Sequence, residues 1–254
     1  MKSFIRNLAL LILTLLLSLN LVAQKKEQDT LAAQKKQIQF KPKSLITPTV
    51  LIGYGVIGLE SHTLKNINNS TSSELREHID NQFTIDDISQ YTPFLTVYGL
   101  NALGIKGKNN FKDRTIILGT AYLIMGSTVN ILKSTGNVER PDGSSTNSFP
   151  SGHTATAFMG AEFLYQEYRD VSVWYGISGY LIATGTGFFR MYNDRHWLTD
   201  VAAGAGIGIL STKIAYWLHP ILKKTIFKEK EKLNGVVMPY YNGENFGLGM
   251  SMTF

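Results

Sequence analysis

The chain has 254 residues, no cysteine and a formal charge of +6, which removes disulfide frameworks, thiolate nucleophiles and Cys-ligated zinc from consideration. Only 17% of its residues are Asp, Glu, Lys or Arg, against about 25% in an ordinary soluble domain; disorder and coiled coil are excluded, and a very apolar globule or membrane-packed helices remain. The basic balance favours anionic partners such as phosphates or acidic lipid head groups. Nucleic acid is set aside, because no dense basic stripe interleaved with aromatics occurs.

Lys2 and Arg6 precede an apolar run over 8–23, and a polar stretch follows over 24–43. This is the layout of an export signal cleaved after Ala23, with a linker up to residue 46. The same run also reads as an uncleaved anchor, although its 16 residues fall short of the roughly 20 that a spanning helix needs. Either reading sends the chain to the cell envelope.

Five apolar segments follow at 47–59, 92–105, 115–132, 171–189 and 200–218, with a more mixed sixth at 152–165. They predict an all-α bundle of about six helices over 47–220, embedded in a membrane, with helix entries at Thr47-Pro48 and Thr199. A mean hydropathy of −0.03 is low for a chain that is mostly membrane, so a soluble bundle stays open. Lys106, Lys108, Lys112 and Arg114 crowd one connection, and Lys223, Lys224, Lys228, Lys230 and Lys232 follow the last helix. Lys and Arg gather on the cytoplasmic side of spans, so both clusters are assigned inward. Running the four helices between them across the membrane makes 133–151 and 190–199 face outward together. Residues 221–254 read as a basic segment and a short β-hairpin, with apolar residues alternating around Asn242-Gly243.

The two outward connections carry the chemistry. One holds Lys133, Arg140-Pro141 and Pro150-Ser151-Gly152-His153; the other runs from Arg190 through His196 to Asp200. A phosphate monoester dianion calls for fixed cations, which Lys133, Arg140 and Arg190 can supply, the arginines bidentately. Ser151 and Gly152 precede an apolar run of helical spacing, which puts their N–H groups at a helix N-terminus, where anions bind. His196 and Asp200 are four apart, on one face of a helical turn. The carboxylate can then take the proton-bearing ring nitrogen and leave the other aimed at phosphorus. His153 remains to protonate the leaving oxygen and then to activate water. His153, His196 and Asp200 could instead ligate zinc, but three nearby cations repel a metal and attract an anion. His62, His78 and His219 are read as structural and Arg195 as a solvent-facing or head-group charge. Tyr192, Trp197, Tyr216 and Trp217 are read as packing or interfacial rings.

These elements resemble the signature of the type 2 phosphatidic acid phosphatase family, which shares its helical bundle and anion pocket with bacterial class A acid phosphatases and vanadium haloperoxidases. The family pattern is Lys, six residues, Arg-Pro; then Pro-Ser-Gly-His; then Ser-Arg, five residues, His, three residues, Asp. The chain fits it at Lys133, Arg140, Pro141, Pro150, Ser151, Gly152, His153, Arg190, His196 and Asp200. It departs at Phe189, where the family usually has serine, so one accessory hydroxyl is expected to be missing. The resemblance implies hydrolysis without metal or cofactor, through a phosphohistidine on His196 oriented by Asp200, with His153 as general acid and base. Lys133, Arg140, Ser151, Gly152 and Arg190 would cradle the phosphate. It further implies a phosphorylated envelope lipid as substrate (lipid A, undecaprenyl diphosphate, phosphatidate or phosphatidylglycerophosphate) and an inner-membrane enzyme with its site on the periplasmic side. The alternatives are a soluble periplasmic acid phosphatase of broad range, a vanadate-dependent haloperoxidase, and a catalytically dead envelope scaffold, against which intact His153, His196 and Asp200 speak.

Overall fold

The apolar stretches and polar connections build eight α-helices among the described residues: α1 Ile46–Gly58, α2 His62–Arg76, α3 Ile85–Ser89, α4 Thr92–Ala102, α5 Phe111–Gly136, α6 Gly152–Tyr168, α7 Val173–Tyr192 and α8 Leu198–Ile226. The computed structural model describes residues 42–77, 84–226, 234–241 and 246–253. The expected leader and most of the linker, His78, and Lys228, Lys230 and Lys232 lie outside them. Two units are distinguished, Met1–Ser44 and Leu45–Phe254, and all eight helices belong to the second.

About six helices were expected; α2 and α3 are the additions. The first is polar in composition and starts where the Ser61 side chain accepts from Leu64 N at 3.4 Å. The second is five residues long, too short to show a helical period. Capping also differs from expectation at two ends. Helix α1 begins at Ile46 behind Leu45 with no side-chain cap, so Thr47 lies inside its first turn. Thr199 likewise lies inside α8, and its N–H is taken by Asn68 Oδ1 of α2 at 3.3 Å while its hydroxyl accepts from Asn68 Nδ2 at 2.9 Å. Residues 234–241 and 246–253 pair as antiparallel strands β1 and β2, with Asn234 opposite Thr253 and Tyr241 opposite Phe246; the turn at 242–245 lies outside the described residues.

Helix α8 is the axis on which the bundle is assembled, because its glycines let neighbouring backbones approach closer than a side chain allows. A Cβ at Gly204 would stand 2.5 Å from the Ser151 carbonyl oxygen, one at Gly208 2.2 Å from that of Ala155, and one at Gly206 2.7 Å from that of Pro48. Helices α6 and α1 thus bracket α8 on two faces. Ile117, Ala121, Met125 and Val129 of α5 then close the core against Met159 and Phe163 of α6 and Ile207 of α8.

Among the described residues two helices, Phe111–Gly136 and Leu198–Thr225, are long and apolar enough to cross a membrane, and the pair Pro42–Gly58 with His62–Arg76, bent by 93°, makes a third if it is counted as one broken span. That is fewer than the four crossings expected from 115–218. Helix α6, with 17 residues, is shorter than the roughly 20 that span a bilayer, and its apolar residues face the bundle. Arg114, grouped by sequence with the inward-facing lysines, is buried at 1% exposure. Its Nη2 and Nε donate to Asn109 O at 2.5 and 3.2 Å, and Nη2 lies 3.9 Å from Glu167 Oε2. Glu167 Oε1 accepts from Asn109 Nδ2 at 2.6 Å and from Tyr216 OH at 2.5 Å. A buried charge is tolerated when it is paired in this way.

Candidate active site

The connections α5–α6 and α7–α8 meet at one end of the bundle and are stitched together by their backbones. Asp142 N donates to Asp194 O at 3.2 Å and Ser151 N to Asp200 O at 3.0 Å. Trp197 Nε1 donates to Glu139 O at 2.8 Å, and Arg195 Nη1 pairs with Asp142 Oδ2 at 3.0 Å. Arg195, its side chain 36% exposed as expected of a solvent-facing charge, also bridges the two loops, and the Trp197 ring N–H is committed to the other loop. Asp194 adopts a left-handed conformation with φ 57°, which a short polar side chain tolerates. Its carboxylate accepts from Ser72 Oγ at 3.1 Å and Arg76 Nε at 2.5 Å, strapping α2 across the loops.

His196 does not share a helical face with Asp200; it precedes α8, and Asp200 turns back toward it from the first helical turn. Asp200 Oδ2 accepts from Trp197 N at 2.9 Å, while Asp200 N and Val201 N donate to Trp197 O at 3.0 and 3.1 Å. This reciprocal capping fixes the carboxylate at the positive end of a 29-residue helix. Its Oδ2 lies 3.6 Å from His196 Nδ1, beyond hydrogen-bond distance. Ser148 Oγ bridges the two, donating to Asp200 Oδ2 at 2.5 Å and standing 3.4 Å from His196 Nδ1. The Phe189 ring packs edge-on against Phe188 and Tyr192.

His196 is 2% exposed. Burial lowers its pKa to about 4, with Arg190 and Lys133 adding to the effect and Asp200 opposing it. The ring is thus held neutral, the form a nucleophile needs. The unfolded chain takes up this proton near pH 6.5 and the folded one only near pH 4. The contribution to stability is full above about 6.5 and falls as pH drops through that window. In an NMR titration of the ring nitrogens, His196 should stay neutral down to about pH 4; a midpoint near 6.5 would show that water reaches the ring.

The cations surround this dyad. Lys133, in the last turn of α5, donates to Asn147 O at 2.5 Å. Arg190, 8% exposed in the last turn of α7, gives Nη1 to Asp86 Oδ2 at 2.5 Å, and its carbonyl accepts from Arg195 N and His196 N at 3.0 and 3.2 Å. Burial, and then Arg190, hold the Arg140 guanidinium below its usual range. The Nε groups of Arg140 and Arg190 and Oδ1 of Asp200 are buried without a partner. An unmet buried donor costs about 1–3 kcal/mol, more when charged. Two guanidinium N–H groups in that condition beside a lysine suit an anion. Gly152 opens α6, and a Cβ there would sit 4.0 Å from Lys133 Cε. Ser151 departs from expectation. Its N–H goes to Asp200 O rather than outward, and its hydroxyl caps α6 by accepting from Thr154 N at 3.4 Å, so it ties α6 to α8.

His153 stands in the first turn of α6 with Nε2 2.9 Å from Asp87 Oδ1. Sequence reasoning missed Asp86, Asp87, Asn193 and Ser148. Asp86 is 1% exposed and also accepts from Asn193 Nδ2 at 3.1 Å. The adjacent acids at 86 and 87 are visible in the sequence, yet no spacing rule links them to positions 190 and 153. Among the described residues Asp86, Asp87 and His153 could hold a metal, their ligand atoms lying within 4.8 Å of one another; the His153, His196 and Asp200 set does not form such a group. Arg190 Nη1, 2.5 and 4.0 Å from those carboxylates, already supplies the positive charge there and would oppose a cation.

The family model that matches this part of the chain, over residues 114–224, is that of the PAP2 superfamily. The match covers 111 of the 254 residues. The Lipid A 1-phosphatase of Porphyromonas gingivalis is 40% identical over 141 residues, 54% of this chain and 31% of that protein. The bacitracin transport permease protein BcrC of Bacillus licheniformis is 32% identical over 101 residues, 39% of this chain and 48% of that protein. The chain thus spans about a third of the length of the first of these relatives and about half of the second. The crystal structure of Aquifex aeolicus LpxE aligns with 59% of this chain and 94% of that one, at 23% identity and a TM-score of 0.46. Lys133, Arg140, His153, Arg190, His196 and Asp200 all fall within the matched residues 114–224, whereas Asp86 and Asp87 lie before them.

Proposed function

We propose that the protein is a metal-independent PAP2 phosphatase that hydrolyses a phosphate monoester or diphosphate of an envelope lipid through a phosphohistidine on His196. The observation that carries this reading is the pair of buried guanidinium Nε groups of Arg140 and Arg190 without acceptors, beside an imidazole held neutral by burial. In the reaction His196 attacks phosphorus while Asp200 and Ser148 hold its Nδ1 side. Lys133, Arg140, Arg190 and the N–H of Gly152 balance the charge on the phosphoryl oxygens, and His153 protonates the leaving oxygen and then activates water.

Among substrates we put the phosphate of lipid A first, because of the likeness to the Porphyromonas gingivalis protein, with undecaprenyl diphosphate and phosphatidate next. The two helices among the described residues that are long and apolar enough to span support a membrane enzyme, and we place it in the inner membrane with its site facing the periplasm, where lipid head groups meet water. A soluble periplasmic acid phosphatase is the second reading, favoured by the mean hydropathy of −0.03; release by osmotic shock without detergent would select it. The purified protein, assayed in detergent against lipid A, undecaprenyl diphosphate and phosphatidate, should release phosphate from at least one of them at a rate unchanged by EDTA. No release from any of the three overturns the lipid reading, and loss of activity on chelation overturns the metal-free one.

A further inference from the structure

We propose that Asp87 is a positioning residue for His153: its carboxylate holds the Nε2 side of the ring, so that Nδ1 faces the leaving oxygen and the ring carries the proton it must deliver. This rests on the phosphatase reading and adds a residue that lies outside both the matched residues 114–224 and the three motifs. The geometry comes from α3. Asp86 anchors that short helix to α7 through Arg190 Nη1 at 2.5 Å and Asn193 Nδ2 at 3.1 Å, and Ser89 Oγ meets Thr186 Oγ1 at 2.8 Å. Two adjacent carboxylates are thereby divided between two tasks. Asp86 neutralises the phosphate-facing arginine, and Asp87 reaches His153 Nε2 at 2.9 Å. The charged groups facing the ring are Asp86 and Asp87 of α3 and Arg190 of α7. Burial, and then Arg190, hold the ring's pKa below the usual imidazole range, and Asp87 and Asp86 limit that fall.

In the first step His196 Nε2 bonds to phosphorus as the ester P–O bond breaks. The electron pair of that bond goes to the ester oxygen, which takes the proton from His153 Nδ1. In the second, neutral His153 takes a proton from the water whose oxygen attacks phosphorus as the P–N bond breaks; hydrogen phosphate leaves and the His153 imidazolium is restored.

The leaving group separates this role from a structural one. The constant kcat/KM reports the chemistry up to departure of the first product, and nitrophenolate departs without a proton whereas an alkoxide does not. General acid catalysis contributes about 10²–10⁴-fold. Asp87→Asn should therefore lose about 10²-fold in kcat/KM on an alkyl phosphate and only a few-fold on p-nitrophenyl phosphate. Asp87→Glu should recover most of the loss, and the basic limb of the asparagine variant's pH profile should move to lower pH. Equal losses on both esters, or no loss on either, overturn the positioning role while the parent protein's activity stands. A parent protein inert on both esters and on lipid A, undecaprenyl diphosphate and phosphatidate overturns the phosphatase reading itself.

Discussion

Replacing His196 with alanine should lower phosphate release by about 10⁴-fold or more, the scale on which removal of a catalytic nucleophile is felt, and should abolish a covalent phosphoenzyme. The ring is 2% exposed and neutral by burial, its Nδ1 side is occupied by Ser148 and Asp200, and a pair of arginine Nε groups in the same pocket lacks acceptors. Turnover of a phosphorus-labelled ester followed by alkaline quench, which preserves a P–N bond, should leave label on the parent protein and none on the variant. A parent protein that turns over without retaining label, or a variant that keeps its rate with an unchanged melting temperature, would sink the phosphohistidine route.

The second large effect concerns packing. Alanine is favoured over glycine inside a helix by about 1 kcal/mol, so Gly208→Ala in α8 would stabilise the chain if helix propensity decided. A Cβ there, however, meets Ala155 O at 2.2 Å and Met159 N at 2.7 Å, both backbone atoms that cannot rotate away. Overpacking of this kind costs about 1–3 kcal/mol or more, and at these distances the upper end applies. Forcing α6 off α8 also stretches the bond from Thr212 Oγ1 to Met159 O at 2.9 Å. The net expectation is destabilisation by about 2 kcal/mol, or a fall in melting temperature of about 4–8 °C. Activity should fall with it, since Ser151, at the N-terminus of α6, is bonded to Asp200 of α8. The control is Gly119→Ala in α5, where a Cβ meets nothing within 4 Å; there propensity should win and stability rise by about 1 kcal/mol. Equal responses at the two positions would show that α6 and α8 do not approach this closely.

The helices that sequence patterning placed best are those with their own local signals. Helices α5 and α8 announce themselves by length and apolarity, and α6 by the serine that caps it. Helix α2 is polar, and its value lies in Asn68 capping α8 and in Arg76 pairing with Asp194, contacts that exist only after the chain has folded back. The same holds in the site. The spacing of His196 and Asp200 suggested a shared helical face, whereas the structure reaches proximity through a carboxylate turning back at the start of α8. Ser151 was expected to offer its N–H to an anion; it offers it to Asp200 O, because α6 and α8 cross at that point.

Read alone, the chain already determined that helices pack around small residues and that cations, imidazoles and a carboxylate gather at the connections, since helix periodicity, capping and phosphate chemistry are written in short-range spacing. Folding decided which of these groups meet. Asp86 finds Arg190 across 104 positions and Asp87 finds His153 across 66. Such pairings depend on where α3 lands on α7, and side-chain reach of a few ångströms leaves no trace in the order of residues.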